Sequence, residues 1–448
     1  MGESAVALSI TEDDLKEVVT QALTVAKRLG ADQAEVAATH DAGIGVTARL
    51  GDVENLEFTN DRGVGITVYK DSCKGSASTS DFSTAAVEEA VQKAYSFATY
   101  TASDEHAGLA DADLMCQDVV DLDLDHAWAL STEDAIALAI DCERVALEHD
   151  PRISNSEGAT VSSSRSMRAY GNSHGFVGSY RKSGHSLSCV VLATDGDDMH
   201  RDYYYTNARD PSELKDAGLI GETAATRALS RIGARKISTT RAPVLFVPEL
   251  ARGFIGHAVG AIAGGALYRR ASFLLDAAGE TLFPEFLSIK EQPHIPKAMA
   301  SVAYDGEGVA TFERDLVADG VLQGYVLSSY SARRLGLQST ANAGGAQNLV
   351  VSGNATGYDD MLRDMHQGLV VVELIGQGVN AVTGDYSRGA VGYWVDNGEI
   401  QFPVQEVTIA GNLRDLYTRI AAVGKDQDLR GGIRCGSLLV EEMTIAGS

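Results

Sequence analysis

Two spacings of apolar residues alternate along the chain. Leu15, Val18, Val19, Ala22, Leu23 and Ala26 recur at helical intervals, with Thr11 placed to cap and Gly30 placed to stop the run. Period-two stretches then follow at 34–40, 45–50, 55–60, 63–70 and 74–80. The pairs Gly51-Asp52 and Asp61-Arg62 read as turns between them, so this region predicts an antiparallel meander. Helical spacing returns over 84–99 and 132–148, on either side of an acidic, irregular stretch at 111–125. Strand patterns occupy 160–170, 176–183 and 186–194, and Pro211 opens a predicted helix that runs to about residue 231.

The basic, polar segment 233–241 marks a domain boundary. Beyond it lie a buried-type strand at 244–247, a helix from about Glu249, a strand at 369–375, a turn-rich stretch with a strand at 390–395, and a helix near 411–423. The predicted fold class is α+β with two domains. Residues 1–235 form an N-terminal domain of helices packed on an antiparallel sheet. Residues 236–448 form a mostly antiparallel, barrel-like β domain with a few helices.

Composition narrows the partners. In 448 residues there are 62 Asp and Glu against 37 Lys and Arg, a formal charge of −25. That balance argues against nucleic acid and against an anionic membrane surface, both of which need a basic face. Hydrophobic residues at 44% are enough for a substantial core. The first residues lack a basic region followed by an apolar run. The longest nearly uncharged apolar stretch, 254–267, is too short to span a bilayer. Five scattered cysteines without a C-x-x-C pair read as reduced thiols, so the expected compartment is the cytoplasm.

The short motifs weigh little. None of the ten histidines stands three, four or five residues from another, so no local zinc motif exists. Asp121, Asp123 and Asp125 imitate the start of a calcium loop, but His126 and Thr132 stand where Gly and Glu are required. Gly171-Asn-Ser173-His-Gly175 fits a nucleophile elbow, yet a strand and not a helix is expected after it, which makes it a hairpin turn. Gly376-Gln-Gly378-Val-Asn-Ala381 follows a strand but precedes turns, so no helix start is available for a pyrophosphate. Gly256, Gly260 and Gly264 form a smooth stripe on one helix, expected to pack closely against a sheet or another helix.

Longer blocks carry a resemblance. The stretch from Glu373 through Gly376, Gln377, Gly378, Asn380, Asp385, Tyr386 and Arg388 to Trp394 and Ile400 resembles the signature of the TldD/PmbA family. The blocks Glu406–Leu413 and Glu442–Gly447 agree with it, as do the opening helix with its strands and the chain length. The match is to the PmbA branch, also called TldE, and it spans essentially the whole chain. The TldD branch resembles a zinc metallopeptidase with an H-E-x-x-x-H helix. Here the matching positions are Gly256, His257 and Ala261, so both imidazole ligands and the acidic base are missing.

The resemblance therefore implies a non-catalytic subunit with no catalytic residue and no metal ligand of its own. Its partner would be a TldD-like, zinc-bearing subunit, with a homodimer possible alone. The complex implied is a cytoplasmic protease of unfolded or short peptides, including antibiotic-peptide precursors and an antitoxin, which links such chains indirectly to modulation of DNA gyrase. The residues expected at a shared cleft or interface are His257, Gly376, Gln377, Gly378, Asn380, Asp385, Tyr386 and Arg388. Two alternatives stand beside this: a self-sufficient peptidase built from dispersed residues such as His257, His294 and Cys435, and a regulatory binding module without proteolysis.

Overall fold

The computed structural model describes residues 6–447. Residues 1–5, which open the stretch read for a leader, and Ser448 lie outside the described residues, and the two predicted domain spans reach into them.

The first half of the chain builds one broad sheet. In order it runs α1 (Glu12–Arg28), β1 (Gln33–Arg49), β2 (Asp52–Lys70), β3 (Cys73–Thr79), α2 (Thr84–Tyr100), α3 (Thr132–Glu148), β4 (Ile153–Asn172), β5 (Val177–Asp195), β6 (Asp198–Ala208) and α4 (Ala217–Leu229). The sheet order is β3-β2-β1-β4-β5-β6, antiparallel throughout. α1 begins where Thr11 Oγ1 accepts from the Asp14 amide at 3.2 Å while Asp14 accepts from the Thr11 amide at 2.7 Å, a reciprocal cap that satisfies two amides the helix leaves open.

Strict alternation decides which side of the sheet is covered. Every even position of β1 from Ala34 to Ala48 is buried, and every odd position except Gly43 is only partly so. Ala34, Val36 and Ala38 pack under α1 and α2, whereas Ala42, Ile44, Val46 and Ala48 pack under α3 and α4. Two helix pairs thus lie end to end along one face of the long strands. The other face carries Thr39, Asp41, Gly43, Gly45 and Thr47 of β1 in register with Arg168, Ser166, Ser164, Ser162 and Thr160 of β4, a polar floor with no helix on it.

The second half runs β7 (Thr240–Phe246), α5 (Pro248–Ala261), α6 (Gly264–Tyr268), β8 (Ser288–Glu291), β9 (Arg314–Ala318), β10 (Val321–Leu322), α7 (Ser329–Leu335), β11 (Leu349–Ser352), α8 (Tyr358–Met365), β12 (Gly368–Ile375), β13 (Asp385–Asp396), β14 (Glu399–Asn412), α9 (Leu413–Thr418), β15 (Ile420–Val423), β16 (Ile433–Arg434) and β17 (Leu438–Ala446). The sheet β14-β13-β12-β7-β17-β15 curls back on itself, because β14 also pairs with β17 through Thr408–Ala446, Ile409–Ile445 and Ala410–Thr444. Five strands therefore close into a barrel, which leaves no free edge among them. A smaller sheet, β10-β9-β8-β11-β16, stands beside it. The expected α+β class, with helices on an antiparallel sheet followed by a barrel-like β region, is what the chain forms. Among the described residues no helix is long and apolar enough to cross a membrane.

Several boundaries differ from the pattern reading. The segments 34–40 and 45–50 are one strand, β1, and 55–60 and 63–70 are one strand, β2, with Asp61 and Arg62 paired in mid-strand to Asp41 and His40. Gly43 marks a close strand approach within β1: a Cβ on it would stand 3.2 Å from the Ser163 carbonyl oxygen. Likewise 176–183 and 186–194 are the single strand β5, and β6 was not foreseen. Pro211 opens only a short 3-10 turn; α4 starts later, where the Asp216 carboxylate accepts from the Gly218 amide at 2.9 Å. The strand expected at 390–395 begins at Asp385. The helix expected over 411–423 stops after Thr418, because Ile420–Val423 leaves it to pair with β17.

Candidate functional site

α5 follows β7 directly, with Pro248 in its first turn, where a missing amide hydrogen costs nothing. Ala251, Phe254, Ile255, Ala258 and Ala261 form its buried stripe. Phe254 anchors that stripe by stacking on Phe246 at 5.0 Å and meeting Tyr386 and Tyr417 edge-on at 5.8 and 5.2 Å. The Tyr417 hydroxyl donates to the Phe254 carbonyl at 3.0 Å.

The opposite side of α5 carries Gly253, Gly256 and Gly260. Close packing was the expected reason for the glycine stripe, and the geometry corrects it. Built Cβ atoms at Gly253 and Gly260 would meet nothing within 4 Å, and one at Gly256 would make only an ordinary 3.6 Å contact with Ile433. Only Gly264, already on α6, is forced to be small, by Ser331 at 2.3 Å. α5 therefore shows bare backbone on an open side, although glycine inside a helix costs roughly 1 kcal/mol relative to alanine.

His257 borders this face. Its ring meets Tyr386 edge-on at 6.0 Å, and burial together with the nearby Arg388 guanidinium pushes its pKa down, which favours the neutral imidazole. Tyr386 is buried, its hydroxyl has no partner, and burial pushes its pKa up to about 12. Arg388 reaches the Leu374 carbonyl with one nitrogen at 3.4 Å, while its buried Nε has no partner. His257, Tyr386 and Arg388 are thus brought together.

The other candidates form the adjoining loop. Asn380 holds it by accepting from the Val382 and Thr383 amides at 2.9 and 3.3 Å, and Asp385 accepts from the Thr383 hydroxyl at 2.6 Å. Gly378 must be glycine, since a Cβ would fall 1.7 Å from the Ser387 carbonyl oxygen, and Gly376 has a positive φ of 81°. Ile375, Gln377 and Val382 are exposed around it.

The donor set for a family zinc does not fit. Gly256 and Ala261 offer no ligand atom, and Ala261 is turned into the core. His294 is bonded to the Thr311 hydroxyl at 2.9 Å. Cys435 is buried, and burial pushes its thiol well above the usual range, so it is not a ready thiolate. Among the described residues no group of three or more His, Cys, Asp and Glu side chains is placed to hold a metal ion. Asp121 and Asp125, from the calcium-like run, serve structure: Asp121 accepts from the Asp123 amide at 2.9 Å, and Asp125 pairs with Arg165 at 2.6 Å. Ser173 of the elbow-like motif lies in a hairpin turn and accepts from the Ala34 amide at 3.1 Å.

Pattern reading missed a charged network at the start of α5. Glu249 pairs with Arg227 at 2.8 Å and Arg430 at 3.0 Å. Arg430 also pairs with Asp428 at 2.8 Å and stacks on Tyr205 of β6, 4.3 Å from the ring centre. Burial pushes the Glu249 carboxyl up, but the two guanidiniums outweigh it and hold its pKa near 2. The network borders a cavity of ≈ 580 Å³ between β6, the start of α5 and the segments 296–299 and 426–430. Its members lie up to about 200 residues apart, so no local spacing announces them.

Residues 34–98, 125–232 and 239–447 match the PmbA/TldA metallopeptidase domain 1, central domain and C-terminal domain, respectively. The chain is 49% identical over 433 residues to the metalloprotease PmbA of Escherichia coli O157:H7, covering 97% of this chain and 96% of that one. A crystal structure of a candidate modulator of DNA gyrase from Bacteroides thetaiotaomicron superposes with a TM-score of 0.92 at 27% identity, covering 97% and 99% of the two chains. TldE from Thermococcus kodakarensis shares the fold, with a TM-score of 0.83 at 20% identity over 95% and 99% of the chains.

Proposed function

The chain belongs to the PmbA/TldD metallopeptidase family, and from that premise we propose that it is the PmbA/TldE-type subunit of a two-component, zinc-dependent peptidase in the cytoplasm, acting on unfolded or short peptides. The carrying observation is α5, which presents Gly256, His257 and Ala261 where a zinc peptidase needs two imidazoles and an acid. In this reading the zinc and the hydrolytic step belong to a TldD-type sibling, and this chain completes the cleft.

Its own residues then do binding work. The open backbone of α5 lets an extended main chain approach without side chains in the way. His257 and Arg388 offer polar atoms to peptide carbonyls at the border of that face, and the loop from Gly376 to Asp385 forms the rim. Recognition through main-chain groups suits a peptidase that takes many sequences and spares folded proteins.

The test is a cleavage assay of this chain alone, the sibling alone and the mixture, with zinc measured in each. Cleavage by the mixture only, with zinc in the sibling only, is the expected result. Stoichiometric zinc and turnover in this chain alone would sink the proposal. His257→Ala is expected to leave the mixture's turnover number within about threefold, since His257 activates no water.

A further inference from the structure

Among the described residues, three cations on the polar floor of the first sheet have no ion-pair partner, although Asp41 shares that floor opposite Ser166. Arg168 of β4 stands opposite Tyr180 of β5, and Ser166 stands opposite Lys182, so Arg168 and Lys182 are diagonal neighbours on one face. Arg209 follows Ala208, which pairs with His185, and therefore shares that face one strand further on. In a chain with 62 acidic residues for 37 basic ones, carboxylate partners are plentiful. Yet Arg168 forms no salt bridge and its buried Nε has no partner. Lys182 forms none either, and its pKa is pushed down by burial and by the charges of Arg209 and Arg168, with only Asp41 opposing them. Arg209 is 7% exposed and spends two nitrogens on the carbonyls of Ser183 and Met299, at 2.6 and 2.7 Å, with no carboxylate.

Two further features surround this cluster. Tyr304, 3% exposed, has a buried hydroxyl without a partner; its ring packs on Tyr180 at 5.7 Å. The floor beside the cations is hydroxyl-bearing: Ser162, Ser164 and Ser166 face Ser186, Gly184 and Lys182. Like-charged groups held together, partly desolvated and short of counter-charge are costly in the empty protein. A bound carboxylate removes that cost and adds charge-assisted hydrogen bonds.

We infer that Arg168, Lys182 and Arg209 form an anion-binding site that captures carboxylates of an acidic peptide laid along the hydroxyl floor of the first sheet. The site rests on the peptide-handling reading above and gives it a substrate class. Arg209 also lines the ≈ 580 Å³ cavity, so a peptide held here by its carboxylates can extend along the β6 edge towards the start of α5. The carboxylate can be a Glu or Asp side chain or the peptide's own terminus; the chemistry is the same.

The test is binding to the full chain, without its sibling, of fluorescent octapeptides that are Glu-rich, Gln-rich or Lys-rich, each with a free or amidated C-terminus. The Glu-rich peptide is expected to bind about tenfold more tightly than the Gln-rich one and to weaken with salt. Amidation reads whether the terminus contributes. Arg168→Ala combined with Lys182→Ala should erase the preference for Glu-rich over Gln-rich peptide, with a melting temperature at or above that of the parent because the repulsion is relieved; Arg209, which holds two carbonyls, is left intact. Binding without charge preference, or a preference that survives the double variant, would overturn this inference alone. No binding by any of the peptides would overturn the peptide-handling reading along with it.

Discussion

Gly260 has open space where a side chain would sit, so Gly260→Ala tests whether the bare face of α5 is used. Removing glycine's backbone freedom should raise stability by about 0.5–1 kcal/mol, read as a higher unfolding midpoint. Peptide turnover by the mixture with the sibling should fall. A variant that is both more stable and fully active would show that nothing approaches this face. His257 gives a second measurement at the same scale. Its pKa is pushed down in the fold from the ordinary value of 6.5, so the unfolded chain binds the proton more readily. The stability this group contributes is present above that value and lost as pH falls through it. Its ring resonance should therefore titrate at lower pH than an exposed histidine. A midpoint at or above the ordinary value would contradict the burial described.

Elements that rest on local signals were legible in the sequence. Thr11 caps α1 as its position implies, and α3 spans the predicted residues, with Ser131 as its cap. Failure came where a tertiary partner decides. The segments divided before Gly45 and Gly63 are continuous strands, because the pairing with the neighbouring strands runs straight through those positions. Ile420–Val423 leaves the helix because β17 offers it a ladder. Asp216 overrides Pro211 as the start of α4, and Asp216→Ala should cost about 1 kcal/mol in denaturant unfolding. In the loop after β12, Gly378→Ala would drive a methyl group into the Ser387 carbonyl. A loss of roughly 1–3 kcal/mol is expected, with protease nicking near Gln377. An unchanged midpoint would mean that the loop is looser than its hydrogen bonds show.

Across the whole molecule, the network around Glu249 ties α4, the start of α5 and the segment carrying Arg430. The Glu249 carboxyl is held near 2, against 4.5 when unperturbed. Its stabilisation is complete above 4.5 and is lost as pH falls from there through 2. It amounts to roughly 3 kcal/mol. Glu249→Gln should remove most of that loss, so wild-type and variant stabilities should converge as acid unfolding is followed downwards; parallel curves would contradict the linkage. The family's whole-chain pattern was readable in the C-terminal blocks. The cationic cluster and the cavity were not, since Arg168, Lys182 and Arg209 meet only through strand register. That same dependence on distant segments governs how the molecule comes into being. β17 is the stave between β7 and β14. During synthesis the first sheet and its four helices can settle early, while the barrel must wait for residues 438–446 to leave the ribosome. Until then β7 and β14 present raw edges, so a stalled or clipped nascent chain is an aggregation hazard and a natural client for chaperones.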